Sequence, residues 1–331
     1  MDRRQLGEQL FGRLKELRGQ VLERTGFRVL TYRRFWPPTP ETRKLFEAQL
    51  DHLRENYVVR SLNEVVQELR AGRLPVRGTM CITVDGGHRD FYNVAYPALR
   101  ARALSATLFL PTGFVDGGRW LWFDRIVHAI RHSQAKGCSL VLPDASPDGE
   151  VQVFSLESPA EKRAAAGQIM QILQELPVAY SEAIMLDIFD QLRVAMPDEP
   201  TEEFAALTWE DCSDMWPNNI SFGSQGVNGK ALTALPDQFA IRAELTASKE
   251  RIAEKLGDYD ILLSYPGGAF DASLAEDVRH CGFRGAVTST PIRNVPPRNG
   301  ADADLFRILR IPVEPGIDPM EFAKLCAVTR K

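Results

Sequence analysis

The chain has 331 residues and a mass of 37.1 kDa, with 44% hydrophobic and 25% charged residues. That balance excludes a disordered or membrane-embedded protein, and the length suits one large α/β barrel or two smaller domains. A formal net charge of −4 and a pI near 5.9 argue against nucleic acid as a partner, because neutralising phosphates requires a basic face.

Residues 1–27 place Leu6, Leu10, Leu14 and Leu17 among alternating charges, a spacing that predicts an amphipathic helix packed on the body of the protein or on a second subunit. The segment has no uninterrupted apolar stretch of the kind a signal peptide or membrane span needs, so a cytoplasmic location and no membrane span are expected. The five cysteines are scattered without a CxxC pair, which reads as reduced thiols and not as a zinc or disulfide framework.

Seven short apolar segments follow that read as strands: Arg28 to Tyr32, Met80 to Asp85, Ala106 to Leu110, Ile220 to Ser224, Ile261 to Tyr265, Phe283 to Thr288 and Ile308 to Val313. Helical periodicity separates them at Pro40 to Tyr57, Asn63 to Ala71, Phe91 to Ala101, Asp237 to Leu256 and Asp271 to Cys281. Strands alternating with helices predict a mostly parallel sheet, open or closed into a barrel. The third and fourth strands are separated by about a hundred residues, too many for a loop. An insertion at about 125–206 is therefore expected. Within it Leu140 to Phe154 reads as a hairpin or exposed loop, and Pro159 to Glu175 and Ser181 to Val194 as helices.

Function in such folds gathers at the carboxyl ends of the strands. Asp85 closes the second apolar strand and precedes Gly86 and Gly87, a place where a carboxylate can face a cleft while the backbone turns beneath it. The plainer reading is an aspartate that starts a turn or caps the next helix.

The run ITVDGGHRDFYNVAYPALRARALSATLFLPTGFVDGGRWLWFDRI from Ile82 resembles the opening block of the NodB-type polysaccharide deacetylase family. LTWEDCSDMWPNNISFGSQG, ELTASKERIAEKLG, SYPGGAFDASLAEDVRHCGFRGAVTST and LFRILRIPV follow in the order of that family's later blocks. The resemblance runs from about Val29 to Phe322 and implies one NodB-like domain over residues 28–328. That domain would be a distorted (β/α)7 barrel with a mainly helical insertion. It also implies hydrolysis of an N-acetyl group on an amino sugar, in which a divalent metal polarises the carbonyl and an Asp acts as general base.

In the resemblance Asp85 takes the place of the base, but the metal-ligand positions hold Gly86, Gln225 and Gly229. Glycine has no ligand side chain and a lone amide is a poor partner for zinc. Arg33 stands where a histidine usually follows the first strand. No metal and no cofactor are therefore expected. Arg33 and Gln225 are read as binding a polar or anionic sugar group beside Asp85, against the simpler alternative of an Arg33–Asp85 salt bridge.

Tyr265, Pro266, Gly267 and Gly268 keep the shape of the family's third motif and are assigned to the pocket wall. Trp120 and Trp122 are candidates for stacking on a sugar ring or for anchoring the insertion. His88 reads as a ligand or proton shuttle, or, as the sequence favours, a partly exposed residue at the start of a helix. His128 and His132 share one helix face at i, i+4 and read as unligated surface residues.

Two functions are open at this stage. One is a non-catalytic member of glycan metabolism, binding a carbohydrate or nucleotide-sugar or serving as a subunit beside a glycan-assembly partner, with homo-oligomers possible. The other is a metal-independent hydrolase of an amide or ester bond on a modified sugar, using Asp85 with Arg33, Gln225 or His88. A metal-dependent deacetylase with unconventional ligands ranks last.

Overall fold

The computed structural model describes residues 26–142, 150–289, 294 and 304–327; the expected N-terminal helix lies outside the described residues. The strands are β1 (Arg28–Tyr32), β2 (Val58–Val59), β3 (Thr79–Asp85), β4 (Ala106–Leu110), β5 (Gly137–Leu142), β6 (Glu150–Ser155), β7 (Ile220–Ser224), β8 (Leu263–Ser264), β9 (Ala286–Val287) and β10 (Ile311–Pro312). Seven of them run parallel in the order β10-β1-β3-β4-β7-β8-β9, and β2 adds a short pairing on β3. Ile308 pairs in parallel with Val287 of β9, and three residues later β10 pairs with β1. One stretch of chain thus joins the two ends of the sheet, which curls into the distorted seven-stranded barrel expected from the sequence.

The strands are apolar throughout because both faces are covered. In β1, β3 and β4 every residue is buried. The outer face, with Leu30, Ile82, Val84 and Leu108, packs on Phe46 and Leu50 of helix α1 (Pro40–Asn56). The inner face carries Val29 on β1, Cys81 on β3 and Phe109 on β4, which cluster with Val65, Val66 and Leu69 of α2 (Leu62–Arg70). Along the inner face of β3 the alternation runs Cys81, Thr83, Asp85, so the barrel turns from apolar to polar toward the carboxyl ends of its strands.

Helices connect the strands where caps and periodicity place them. Thr39 accepts a bond from Thr42 N at 3.1 Å and Pro40 occupies the first turn of α1. After β3 the chain forms a π-helical turn, Phe91–Ala95, that runs into α3 (Tyr96–Ala101). After β4 come α4 (Thr112–Val115) and α5 (Trp122–His132). The next stretch holds the antiparallel hairpin of β5 and β6 and two helices, α6 (Pro159–Glu175) and α7 (Val178–Leu192).

Helix α6 starts with a capping box between Ser158 and Glu161. These elements share a core with α5 built on Ile126, Ile130, Leu140, Ile169 and Ile188. Beyond α8 (Trp209–Met215), helices α9 (Gln238–Leu256) and α10 (Ala272–His280) alternate with the remaining strands, and α11 (Pro319–Ala327) packs on α1. Among the described residues no helix is long and apolar enough to cross a membrane.

Gly223 in β7 is a close approach inside the barrel. A Cβ there would lie 2.5 Å from the Phe109 ring and 2.8 Å from the Leu262 carbonyl oxygen. Gly223→Ala should destabilise the protein by about 1–3 kcal/mol through overpacking, read as a lower denaturant midpoint with an unchanged slope.

Candidate functional site

Asp85 ends β3 on the inner face of the barrel, and Arg310, the residue before β10, reaches it there. Arg310 is fully buried, and its two terminal nitrogens donate to the two carboxylate oxygens of Asp85, Nη1 to Oδ1 and Nη2 to Oδ2, both at 2.8 Å. The rest of the guanidinium is also engaged: Nη2 donates to Ser264 Oγ at 2.9 Å, Nε to the Thr288 carbonyl at 3.0 Å and Nη1 to Thr83 Oγ1 at 3.3 Å. The fork–fork pairing fixes the carboxylate in position as well as balancing its charge. The Arg33–Asp85 bridge read from sequence is thus replaced by Arg310, because Arg33 is exposed and lies over the Phe123 ring at 5.7 Å.

The chain leaves Asp85 through Gly86 (φ +107°) and Gly87 (φ +66°). A Cβ on Gly87 would sit 3.1 Å from Leu110, so the loop turns tightly against β4. Residues 87–89 are then clipped to 205–207 by Leu207 N to the Gly87 carbonyl and Arg89 N to the Ala205 carbonyl. This clip holds His88 inward. His88 is buried, unlike the partly exposed helix-start residue favoured by its sequence position, and its Nε2 donates to Asp124 Oδ2 of α5 at 2.7 Å. Its Nδ1 is buried without a partner among the described residues. Arg34 lies behind this pair, donating from Nε to Asp90 Oδ2 at 2.8 Å and from Nη2 to the Glu203 carbonyl, with Nη1 3.8 Å from Asp124 Oδ1.

These residues floor a cavity of about 230 Å³. Asp85, His88 and Gln225 face it from the barrel, Asp124 from α5, Arg33 and Trp36 from the loop after β1, and Met170 and Gln174 from α6. Gln174 Nε2 donates to the Pro266 carbonyl at 3.2 Å, and a Cβ on Gly267 would fall 2.2 Å from that nitrogen. The roof of the cavity is therefore seated on the loop after β8. Gln225 is 95% buried, and its backbone N–H donates to the Leu110 carbonyl at 2.9 Å.

Asp85, the base position, lines the cavity, and so do Arg33, Gln225 and His88 of the residues assigned to substrate binding, whereas Tyr265, Pro266 and Trp122 do not. Tyr265 is fully buried, its hydroxyl donating to the Phe306 carbonyl at 3.1 Å and its ring stacked on Phe270; burial pushes its phenol well above the usual range. Pro266 serves as the carbonyl on which Gln174 rests. Trp122 is buried with Nε1 donating to the Gly229 carbonyl at 3.4 Å, and Trp120 donates to the Pro197 carbonyl, so both anchor the inserted region. Aromatic rings do line the cavity, those of Phe123, Phe204 and Trp36, of which Trp36 is 37% exposed. Nothing local marks Trp36 as a cavity residue beyond an aromatic beside two prolines.

His128 is buried too, contrary to its reading as a surface residue. Its ring stacks on His132 at 4.2 Å and meets Trp120 edge-on at 5.1 Å.

The sequence matches no protein-family model and no curated protein. Solved structures do match. A Streptococcus pyogenes deacetylase, PplD, aligns at a TM-score of 0.58 with 18% identity, over 92% of this chain and 99% of that one. IcaB from Ammonifex degensii aligns at 0.58 with 17% identity, over 92% and 98%. A de-N-acetylase from Aggregatibacter actinomycetemcomitans aligns at 0.53 with 13% identity, over 90% and 99%. The fold is that of the polysaccharide deacetylases. At these identities the likeness speaks for the polysaccharide-deacetylase fold, and the site has to be judged on its own residues.

On that test the divalent metal implied by the resemblance does not fit. Gly86 offers no donor, and a Cβ built there would lie 3.0 Å from His88 Nδ1 and 3.2 Å from His88 Cε1, so the imidazole fills the space a ligand side chain would need. Gly229 offers none either; with φ +66° it faces Pro111 and Leu121 at 3.5–3.6 Å. Gln225 remains as a single amide. Among the described residues no three His, Cys, Asp or Glu side chains converge on a metal position.

Breaking the Asp85–Arg310 pair from one side should cost about 3–5 kcal/mol, because a buried charge is left without its partner. Chemical denaturation of Arg310→Met should show that loss, and Asp85→Leu combined with Arg310→Met should recover a large part of it.

Burial, followed by repulsion from His132, holds the His128 pKa below its ordinary 6.5. A depressed histidine pKa means that the unfolded chain takes up the proton first. The stability is present above pH 6.5 and is lost as pH falls from there through the folded value. Melting temperatures across pH 7.5 to 5 should drop less steeply in His128→Phe than in the parent.

Proposed function

We propose that this chain is a deacetylase-like protein of glycan metabolism that binds a carbohydrate in the Asp85 cavity and does not carry out metal-dependent deacetylation. The observation that carries this reading is the His88 ring packed against Gly86. In the resemblance, residue 86 is a metal ligand; here the ligand side chain is absent and its volume is taken by an imidazole tied to Asp124. Asp85 is engaged at both oxygens by Arg310. The cavity around them combines an amide, a cation and an exposed aromatic, Gln225, Arg33 and Trp36, the kinds of group that bond sugar hydroxyls and stack on pyranose faces.

A second reading has its own support. The His88–Asp124 pair at 2.7 Å beside Asp85 is the arrangement of an oriented imidazole base, as a metal-independent hydrolase of an amide or ester on a modified sugar would need. Its weakness is the lack of an evident group to stabilise an oxyanion, since the guanidinium nearest Asp85 is already fully engaged.

The test uses the full chain with zinc, cobalt, tetra-N-acetylchitotetraose and tetragalacturonate. The expected result is no stoichiometric metal binding and no acetate release from the N-acetylated sugar, with calorimetric binding of at least one saccharide. Gln225→Ala should weaken that binding about tenfold, or 1.4 kcal/mol. Stoichiometric zinc binding with zinc-dependent acetate release would overturn the reading, as would failure to bind either saccharide. Acetate release that persists in chelator and disappears in His88→Ala would establish the second reading in its place.

A further inference from the structure

The cavity opens onto a larger groove of about 940 Å³, and the two share Trp36, Val127, Arg131 and Met170 in their walls. The groove runs between the end of α5 and the start of α6, so it belongs to the inserted region. Two of the three cations that line the cavity are already spoken for, Arg34 by Asp90 and Arg131 by Glu203. Arg33 forms no ion pair with a described residue. Further along, Lys136 and Arg163 are exposed, and neither pairs with a described carboxylate. Lys162 directs its ammonium at the carbonyls of Ser133, 2.6 Å, and Arg131, 3.3 Å, which leaves its charge unbalanced. Against the three cations Lys136, Lys162 and Arg163, the groove lining carries one carboxylate outside any ion pair, Glu157. The chain as a whole has a net charge of −4, so the positive strip stands against the prevailing sign.

We infer that the groove and cavity together hold an acidic oligosaccharide, one bearing carboxylate or phosphate groups, with its end near Arg33 and Asp85 and its body along Lys136, Lys162 and Arg163. This rests on the carbohydrate-binding reading and specifies its ligand. The sizes agree: the cavity falls below, and the groove lies near the top of, the ~300–1,000 Å³ range of small-molecule sites. A chain with its terminal sugar in the cavity and several more outside fits that relation. Trp36, exposed at the junction of the two spaces, offers a flat face for a ring that passes between them. Lys136, Lys162 and Arg163 line the groove and Arg33 the cavity that shares its wall, so a charge repeated along a polymer would meet them, whereas a neutral glycan would leave them unused.

Calorimetric titration of the full chain at low salt would use tetragalacturonate, a tetrasaccharide carrying the same number of phosphate groups, tetra-N-acetylchitotetraose, and a single-stranded oligonucleotide of equal charge. At least one acidic saccharide should bind ten times more tightly than chitotetraose, and whichever of the two binds better identifies the anionic group. Lys136→Glu combined with Arg163→Glu, both exposed positions, should weaken acidic binding at least tenfold and leave chitotetraose unchanged; Trp36→Ala should weaken both.

Equal binding of acidic and neutral sugars, or charge reversal without effect, would overturn the acidic specificity while leaving a sugar-binding cavity. Oligonucleotide binding as tight as that of the acidic sugars would reduce the strip to a general polyanion patch and overturn it as well. If no saccharide binds, the underlying carbohydrate reading falls with it.

Discussion

The barrel is organised around one buried ion pair. A guanidinium with no exposure and a carboxylate beside it are expensive to remove from water, and the pair is tolerated inside a fold only when every donor and acceptor is met. Here Arg310, placed before β10, meets that condition with groups from three other places on the sheet: Asp85 and Thr83 on β3, Ser264 on β8 and the Thr288 carbonyl just beyond β9. A shift of one residue in any of these strands would turn its contribution to the other face. The pair therefore contributes to the register of the sheet, and it also sets the electrostatic floor on which the cavity rests.

Above that floor the charges are balanced within the protein. His88 and Arg34 lie against Asp124, Arg34 also against Asp90, and Arg131 against Glu203. In the metal-dependent chemistry that the family resemblance implies, a dication would supply much of the positive charge at this place. In this chain arginines supply it, attached to the backbone and already committed, and the His88 imidazole donates a hydrogen bond to Asp124. What stays uncommitted lies at the rim and along the groove, so on the proposed reading a ligand would be selected there and not at Gly86, Gln225 and Gly229.

Much of this was legible from sequence where local signals act alone. The strands Arg28–Tyr32, Ala106–Leu110 and Ile220–Ser224 coincide with their apolar runs, and the helix Pro159–Glu175 with its Ser-Pro start and Glu161. Asp85 was visible as the carboxylate ending a strand before two glycines. Arg310 was not, because it lies within an ordinary strand-like run, Ile308 to Val313, and nothing local marks a side chain that crosses the barrel. His88 was misjudged for a related reason. Its burial comes from the clip between residues 87–89 and 205–207, a contact across more than a hundred positions. The motif shape puts Tyr265 in the pocket wall and the aromatic character of Trp122 suggests stacking on a sugar, but their polar atoms are used on the Phe306 and Gly229 carbonyls.

The separation of Asp85 and Arg310 along the chain, 225 positions, has a consequence for assembly. Contacts of such span form late, after the closure entropy of the intervening chain has been met. As the chain emerges from synthesis, the strand that carries Asp85 is complete long before its counter-ion exists. The carboxylate must stay in contact with water until the final strand docks. An early-formed half of this barrel is therefore held open by its own unpartnered charge, and the last strand acts as the step that permits the interior to dry.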